Sequence, residues 1–109
     1  MKLQSLKPED FVQHLKEAAQ LVIDVRQPEE WQQNHIQGAA LIPLAMLPKD
    51  ITKHSKDPKK EIYLYCQHGV RSHQAGLLLL SLGYEKVYHL EGGLSQWIAA
   101  GFPCQSGIL

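Results

Sequence analysis

Residues 62–83 have the sequence IYLYCQHGVRSHQAGLLLLSLG, which divides into three parts with different local preferences. Residues 62–65 are a short apolar run, which is typical of a buried strand. Residues 66–71 are polar and contain a glycine, which predicts a tight loop. Ser72 is predicted to cap a helix that continues to about Leu82 and ends at Gly83. A cysteine therefore stands where a buried strand passes into a loop.

The same alternation of strand and helix extends to both sides of this segment. Further strands are predicted at residues 21–25, 41–42 and 87–90, and helices at residues 8–17, from residue 28, and from the Gly92-Gly93 turn to Gly101; residues 53–60 are a predicted surface loop. Strands separated by helices pair in parallel through right-handed crossovers. The predicted fold is α/β, a three-layer domain with a small parallel sheet flanked by helices, with residues 1–109 as one domain. Ligands bind outside the carboxyl ends of such strands, and Cys66 occupies that position.

Composition excludes several functions. The chain has 11 basic and 11 acidic residues, and this neutral balance argues against nucleic acid as a partner. No signal peptide is expected, because the first residues contain no apolar run, and no apolar run is long enough to cross a membrane. Cys66 and Cys104 are therefore predicted to be free thiols in a reducing compartment, and a cytoplasmic location is expected. A disulfide between them remains an alternative.

The loop after the predicted strand combines a nucleophile with groups that bind anions. Cys66 is nucleophilic as a thiolate, and successive backbone N–H groups that enter a helix form a positive nest around it. Gly69 permits the positive φ that lets the loop curl, and the planar guanidinium of Arg71 offers two parallel hydrogen bonds to an anion. His68 is either a proton donor or acceptor, or an exposed loop residue. The alternative for Cys66 is a small buried core residue.

The order and spacing of several motifs resemble those of the rhodanese family, the thiosulfate sulfurtransferases. The similarity covers nearly the whole chain. The segments that carry it are Ile23-Asp24-Val25-Arg26-Gln27-Pro28-Glu29-Glu30-Trp31, His35-Ile36-Gln37-Gly38-Ala39, Ile42-Pro43, Tyr65-Cys66-Gln67-His68-Gly69-Val70-Arg71-Ser72, Leu82-Gly83-Tyr84 and Leu90-Glu91-Gly92-Gly93-Leu94-Ser95-Gln96-Trp97.

This resemblance implies a sulfurtransferase in which Cys66 is the catalytic nucleophile and carries sulfur as a persulfide. The implied donor is thiosulfate or a persulfide, and the implied acceptor is a thiol or cyanide, with a sulfur-relay protein as a further partner. No metal and no cofactor are expected. Arg71 is implied to act in catalysis and to bind the donor anion, as part of a substrate-binding loop made of Gln67, His68, Gly69, Val70, Arg71 and Ser72.

Other functions remain open at this point. Phosphatases and arsenate reductases resemble the loop, but the related phosphatases place five residues between cysteine and arginine, whereas four separate Cys66 from Arg71 here. A non-catalytic interaction domain would need neither residue. A carrier that receives sulfur from a desulfurase is a variant of the first function.

Several residues outside the loop have structural and functional interpretations. Asp24 and Arg26 are interpreted as a structural ion pair, with an electrostatic role at the site as the alternative. Trp31 and Trp97 are predicted to pack in the core. Cys104 is interpreted as a spare thiol, with the resolution of a persulfide as the alternative. The six histidines, His14, His35, His54, His68, His73 and His89, have no paired metal-ligand spacing apart from the local cluster of Cys66, His68 and His73. That cluster is better explained by the loop, so no metal site is expected.

Overall fold

The computed structural model of the protein describes residues 2–17 and 20–107. Within these residues the chain forms five strands and five α-helices. In chain order they are β1 (Gln4–Leu6), α1 (Pro8–Leu15), β2 (Leu21–Asp24), α2 (Pro28–Gln33), β3 (Ala40–Leu41), α3 (Leu47–His54), β4 (Glu61–Tyr65), α4 (Val70–Ser81), β5 (Lys86–Leu90) and α5 (Gly93–Ala99), with a 3₁₀ turn at Leu44–Met46.

The strands form one parallel sheet in the order β1-β5-β4-β2-β3, which confirms the predicted α/β fold. β4 is the central strand and pairs with β2 on one side and with β5 on the other. Because all strands run in the same direction, their carboxyl ends lie at one edge of the sheet. Cys66, the residue after β4, therefore lies at the middle of that edge.

Alternate side chains of β4 enter two separate hydrophobic clusters, one on each face of the sheet. Ile62 and Leu64 lie in the first cluster together with Cys66, whereas Tyr63 and Tyr65 lie in the second. This alternation is the consequence of the two-residue period of a strand. Helices α3 and α4 cover the first face through Leu47, Ile51, Ala75 and Leu79, and helices α1 and α5 cover the second through Phe11, Leu94 and Trp97.

The two tryptophans pack as predicted, since Trp31 is 8% exposed and Trp97 is 3% exposed. The indole N–H of Trp97 donates to the carbonyl oxygen of Pro103 at 2.9 Å, so its polar atom has a partner. A search of residues 2–17 and 20–107 for a helix long and apolar enough to span a membrane found none.

Two elements were missed by the sequence analysis. β1 has only three residues, two of which are exposed, so its pattern is too short and too polar to be recognised; it forms because β5 offers it a parallel edge. Helix α3 begins with Pro48 in its first turn and buries Leu47 and Ile51 on one face. The prediction of a surface loop over residues 53–60 is therefore wrong for Lys53 and His54, which form the last turn of α3.

Some predicted helix ends are also corrected. Ser72 does not cap α4: the N-cap is Gly69, with φ = 103°, and the helix starts at Val70. The left-handed backbone at Gly69 allows the turn to tighten before Ser72, so Ser72 lies inside the first turn. At the other end the predicted stop at Gly83 is confirmed by its φ of 103°. Helix α1 ends at Leu15, and of its predicted range to residue 17 only this part is helical.

We expect Leu79→Ala to destabilise the protein by about 3 kcal/mol, because this side chain is fully buried between α4 and the sheet and its removal leaves a cavity. Leu77→Ala on the same helix is the matched control, because Leu77 is 50% exposed and its truncation changes stability by about 0.5 kcal/mol or less. Urea unfolding of both variants measures the difference. Equal losses in the two variants would contradict the assignment of α4's buried face.

Candidate active site

The sulfur of Cys66 is held at the start of α4 by backbone N–H groups. Cys66 is 1% exposed, and its Sγ accepts hydrogen bonds from the N–H of Gly69 at 3.1 Å and of Ser72 at 3.3 Å. The two N–H groups belong to the N-cap and to the first turn of the helix, where backbone donors have no partner within the helix itself. Donors aimed at one sulfur stabilise a thiolate there, as they would any small anion.

The start of α5 fixes the backbone of the loop from the other side. The N–H of Leu94 donates to the carbonyl oxygen of Cys66 at 2.8 Å, and the N–H of Ser95 donates to that of Gln67 at 3.1 Å. Gly93 makes this approach possible: its φ is 66°, and a Cβ added to it would lie 2.5 Å from the carbonyl carbon of Gln67. These two hydrogen bonds hold the first two peptide groups of the loop against α5, just before the residues whose N–H groups reach the sulfur.

A buried ion pair at the end of β2 contacts the loop. The guanidinium of Arg26 is 1% exposed and donates to both carboxylate oxygens of Asp24, with the closest contact at 2.8 Å. Arg26 also donates to the side-chain oxygen of Gln67 at 3.0 Å and to the backbone carbonyl of Asn34. The structure thus contains the structural ion pair that the sequence analysis preferred. It joins the end of β2, the end of α2 and the loop.

The side chain of Arg71 is paired with a carboxylate on α2. Its two terminal nitrogens donate to the two carboxylate oxygens of Glu30 at 2.7 Å and 2.9 Å. The hydrogen bond from Arg71 is the main reason that the pKa of Glu30 falls from its ordinary value of 4.5 to about 2. The sequence analysis did not single out Glu30. An acidic residue in the motif that carries the family resemblance was the only available signal, and nothing in the spacing connected it with Arg71.

The other predicted loop residues are divided between the sulfur and the surface. Gly69 and Ser72 lie against Cys66, whereas the side chain of Gln67 is turned to Arg26. His68 is exposed, and its Nδ1 lies 3.1 Å from the hydroxyl of Ser95. Val70 is 68% exposed. The structure therefore brings the backbone of the predicted loop to the sulfur but not all of its side chains.

A chain of side chains that the sequence analysis missed leads from the sulfur to the surface. Ser72 Oγ lies 3.6 Å from Cys66 Sγ and 3.0 Å from Nδ1 of His89, whose Nε2 lies 2.8 Å from the hydroxyl of Ser5. An open cavity of about 440 Å³ adjoins this chain; its lining includes Ser5, His68, His73, His89 and Glu91. The signal in the sequence was His89, a histidine within the mainly apolar strand β5, which was considered only as a metal ligand.

Neither cysteine forms a disulfide in the part of the chain that the structure describes. The alternative of a Cys66–Cys104 bond is therefore not realised. Cys104 packs against the second hydrophobic cluster, and this burial raises the pKa of its thiol. A search of the described residues found no group of three or more histidine, cysteine or acidic side chains that could hold a metal ion.

The chain is similar to known proteins over most of its length. A family model described as Rhodanese-like domain matches residues 7–100. A sulfurtransferase of Allochromatium vinosum is 35% identical over 83 residues, which cover 76% of each of the two proteins. A tRNA uridine(34) hydroxylase of Hamiltonella defensa is 30% identical over 99 residues, which are 87% of this chain but only 28% of that longer protein. The relatives therefore include both sulfurtransferases and tRNA hydroxylases, and they support an enzyme of the sulfurtransferase type.

Solved structures agree with the fold described above. A rhodanese-like domain from Anabaena superposes with a TM-score of 0.84 at 32% identity and covers 97% of this chain and 80% of its own. A rhodanese from E. coli, solved with anions, superposes with a TM-score of 0.71 at 36% identity and covers 82% of this chain and all of its own.

The Arg71–Glu30 pair predicts a loss of stability in acid. Because folding lowers the pKa of Glu30 from 4.5 to about 2, the pair contributes its full stability above about pH 4.5 and loses it as the pH falls towards 2. We expect Glu30→Gln to lack this part of the acid dependence, whereas the exposed neighbour variant Glu29→Gln keeps it. Urea unfolding at pH values across this window measures the effect. An identical acid dependence in wild type and Glu30→Gln would contradict it.

Proposed function

The chain belongs to the rhodanese-like family, and from this premise we propose that it is a thiosulfate sulfurtransferase that carries sulfur as a persulfide on Cys66. The donor is thiosulfate or a persulfide, and the acceptor is a thiol or cyanide. The observation that carries the proposal is the pair of backbone N–H groups directed at the sulfur of Cys66. They stabilise the thiolate form, which is the nucleophilic form of cysteine.

In the first step, the thiolate of Cys66 attacks the outer sulfur of thiosulfate. A new S–S bond forms, the S–S bond of thiosulfate breaks, and sulfite leaves with the bonding electron pair. Cys66 then carries the transferred sulfur as a persulfide anion. In this state the terminal sulfur bears the negative charge, and the N–H groups of the loop and the positive end of α4 are suited to stabilise it.

In the second step, a nucleophilic acceptor attacks the terminal sulfur of the persulfide. The bond between the two sulfurs breaks, and the thiolate of Cys66 is regenerated. Cyanide leaves as thiocyanate, and a thiolate leaves as a persulfide. The enzyme alternates between two covalent states, so the kinetics are ping-pong, and neither step requires a dissociable cofactor.

Arg71 is proposed to bind the sulfonate end of the donor. Its two terminal nitrogens are both engaged by Glu30, so an incoming dianion competes with a carboxylate for the same guanidinium. The rhodanese from E. coli that was solved with anions supports an anion site in this kind of domain. The competition also favours a protein persulfide as the donor in the cell, with a sulfur-relay protein as the partner. A cytoplasmic location remains a prediction.

Treatment with thiosulfate should add the mass of one sulfur atom to the wild-type protein and to Cys104→Ser, but not to Cys66→Ser. Two N–H groups donate to the sulfur of Cys66, whereas burial raises the pKa of the Cys104 thiol and keeps it protonated. Mass spectrometry of the intact protein measures the adduct. Loss of the adduct in Cys104→Ser, with retention in Cys66→Ser, would show that Cys104 carries the sulfur and would contradict the proposal.

The same preparation separates sulfur transfer from phosphate hydrolysis. We expect thiocyanate from thiosulfate and cyanide, and no significant hydrolysis of an aryl phosphate. A loop with four residues between Cys66 and Arg71 forms a smaller cradle than the five-residue loop of the related phosphatases, since each residue spans at most about 3.6 Å. Phosphatase turnover that disappears in Cys66→Ser, without a persulfide, would overturn the proposal.

Arg71→Lys should raise the KM for thiosulfate by about tenfold or more, because an ammonium cannot reproduce the two parallel hydrogen bonds of a guanidinium to the sulfonate. Glu30→Gln should lower this KM, because the donor then no longer competes with a carboxylate. Steady-state kinetics with a small persulfide donor whose organic group carries no charge is the control. This donor has no sulfonate for Arg71 to bind, so both variants should leave its KM unchanged. An unchanged KM for thiosulfate in Arg71→Lys would remove Arg71 from the anion site.

A further inference from the structure

We propose that Ser72, His89 and Ser5 form a hydrogen-bond relay that stabilises the thiolate of Cys66 and carries its proton to solvent. The relay deepens the proposed function, because it rests on Cys66 as the nucleophile. His89 touches neither donor nor acceptor, so it is a positioning residue that acts through Ser72.

The relay is built from three elements that meet only in the folded chain. Ser72 lies in the first turn of α4, His89 lies on β5, and Ser5 lies on β1. Ser5 and His89 are direct partners in the parallel register of β1 and β5, so their side chains leave the sheet on the same face. The successive distances are 3.6 Å from Cys66 Sγ to Ser72 Oγ, 3.0 Å from Ser72 Oγ to His89 Nδ1, and 2.8 Å from His89 Nε2 to Ser5 Oγ.

The relay runs from a buried end to an exposed end. Cys66 and Ser72 are at most 1% exposed, His89 is 5% exposed, and Ser5 lies at the surface. Burial is the main reason that the pKa of His89 is lowered, so its ring is neutral near pH 7. A neutral imidazole has one donor and one acceptor nitrogen, and both nitrogens of His89 have a hydroxyl partner.

These positions allow two arrangements of the same protons. With Cys66 as a thiol, S–H donates to Ser72, the Ser72 hydroxyl donates to Nδ1 of His89, and Nε2–H donates to Ser5. With Cys66 as a thiolate, every bond runs the other way, and the Ser72 hydroxyl donates to the sulfur. In the change from thiol to thiolate, the proton of Cys66 moves to Ser72 Oγ and the proton of Ser72 moves to Nδ1 of His89. The proton on Nε2 of His89 moves to Ser5 Oγ, and the proton of Ser5 moves to water. Four bonds to hydrogen break and four form, and His89 stays neutral.

Other groups surround the relay and bear on its pH dependence. The ring of His73, on α4, packs edge-on against His89 with 5.5 Å between the ring centres, and its charge disfavours a second charge on His89. Glu91, just after β5, acts in the opposite direction. His68 of the loop lines the same cavity. Ser72 also lies 3.2 Å from the carbonyl oxygen of Gly69, which is an alternative acceptor for its hydroxyl.

The test measures the thiolate of Cys66 directly, by its ultraviolet absorbance as a function of pH, in the Cys104→Ser background. The corresponding Cys66→Ser double variant gives the baseline. His89→Phe removes both ring nitrogens, and its midpoint for thiolate formation should move up by about one pH unit. Below the midpoint, its thiolate fraction should then be about tenfold lower than that of the wild-type relay. His89→Asn, whose amide can reach the Ser72 hydroxyl, should recover part of this shift.

His35→Phe is the matched control. His35 is 4% exposed, and both of its ring nitrogens are also hydrogen-bonded, to the carbonyl of Trp31 and to Gln105, but its bonds do not lead to Cys66. This variant should lose stability in thermal unfolding as His89→Phe does. Its midpoint for thiolate formation on Cys66 should nevertheless stay at the wild-type pH. Sulfur transfer in His89→Phe should fall by up to about tenfold near pH 7 and recover at high pH.

An unchanged midpoint in His89→Phe, or an equal shift in His35→Phe, would overturn the relay. If His89→Phe does not fold, Ser5→Ala at the exposed end carries the test, with a smaller upward shift expected and an unchanged midpoint overturning the proposal. The absorbance does not depend on sulfur transfer. A protein that forms no persulfide but shows the shift would refute the proposed function and leave the relay intact.

Discussion

The hydrogen bonds from the start of α5 to the carbonyl oxygens of Cys66 and Gln67 anchor the first two peptide groups of the loop. A buried carbonyl needs a donor, and α5 supplies one to each of these two carbonyls. The arrangement requires Gly93, since a Cβ there would overlap the carbonyl of Gln67. The loop that starts at this anchor continues to Gly69 and Ser72, whose N–H groups donate to the sulfur of Cys66. The anchoring contact joins a turn and a loop that are more than twenty residues apart in sequence.

Each of the two arginines near the loop is paired with a carboxylate. Arg26 is neutralised by Asp24 and Arg71 by Glu30. The two pairs differ in burial: Arg26 is 1% exposed, whereas the side chains of Arg71 and Glu30 are about one-third exposed. A buried pair holds the loop in place, because separating its partners would leave an uncompensated charge. A partly exposed pair can exchange one carboxylate for another anion at modest cost, which is the property that a donor site requires.

The environment of Cys66 is therefore polar on the side of the loop and apolar on the side of the core. Its side chain belongs to the first hydrophobic cluster, yet it receives two N–H groups and faces the Ser72 hydroxyl. Donors in a site with little water stabilise a negative charge more strongly than the same donors would in solvent. His89 extends this polar side to the surface through Ser5, so that a sulfur with almost no exposure remains connected to water by hydrogen bonds.

The sequence by itself determined the α/β architecture, the parallel sheet and the position of Cys66, because these follow from local patterns. Apolar runs of four or five residues indicate the strands β2, β4 and β5, and glycines indicate the turns at Gly69, Gly83 and Gly92-Gly93. Strand β1 and helix α3 escaped prediction because short or half-polar segments acquire their structure from the neighbours on which they pack. Only the tertiary structure decided the direction of Arg71 towards Glu30 and the link from Ser72 through His89 to Ser5. Those contacts join residues 17 to 84 positions apart, and no local preference encodes a distance of that kind.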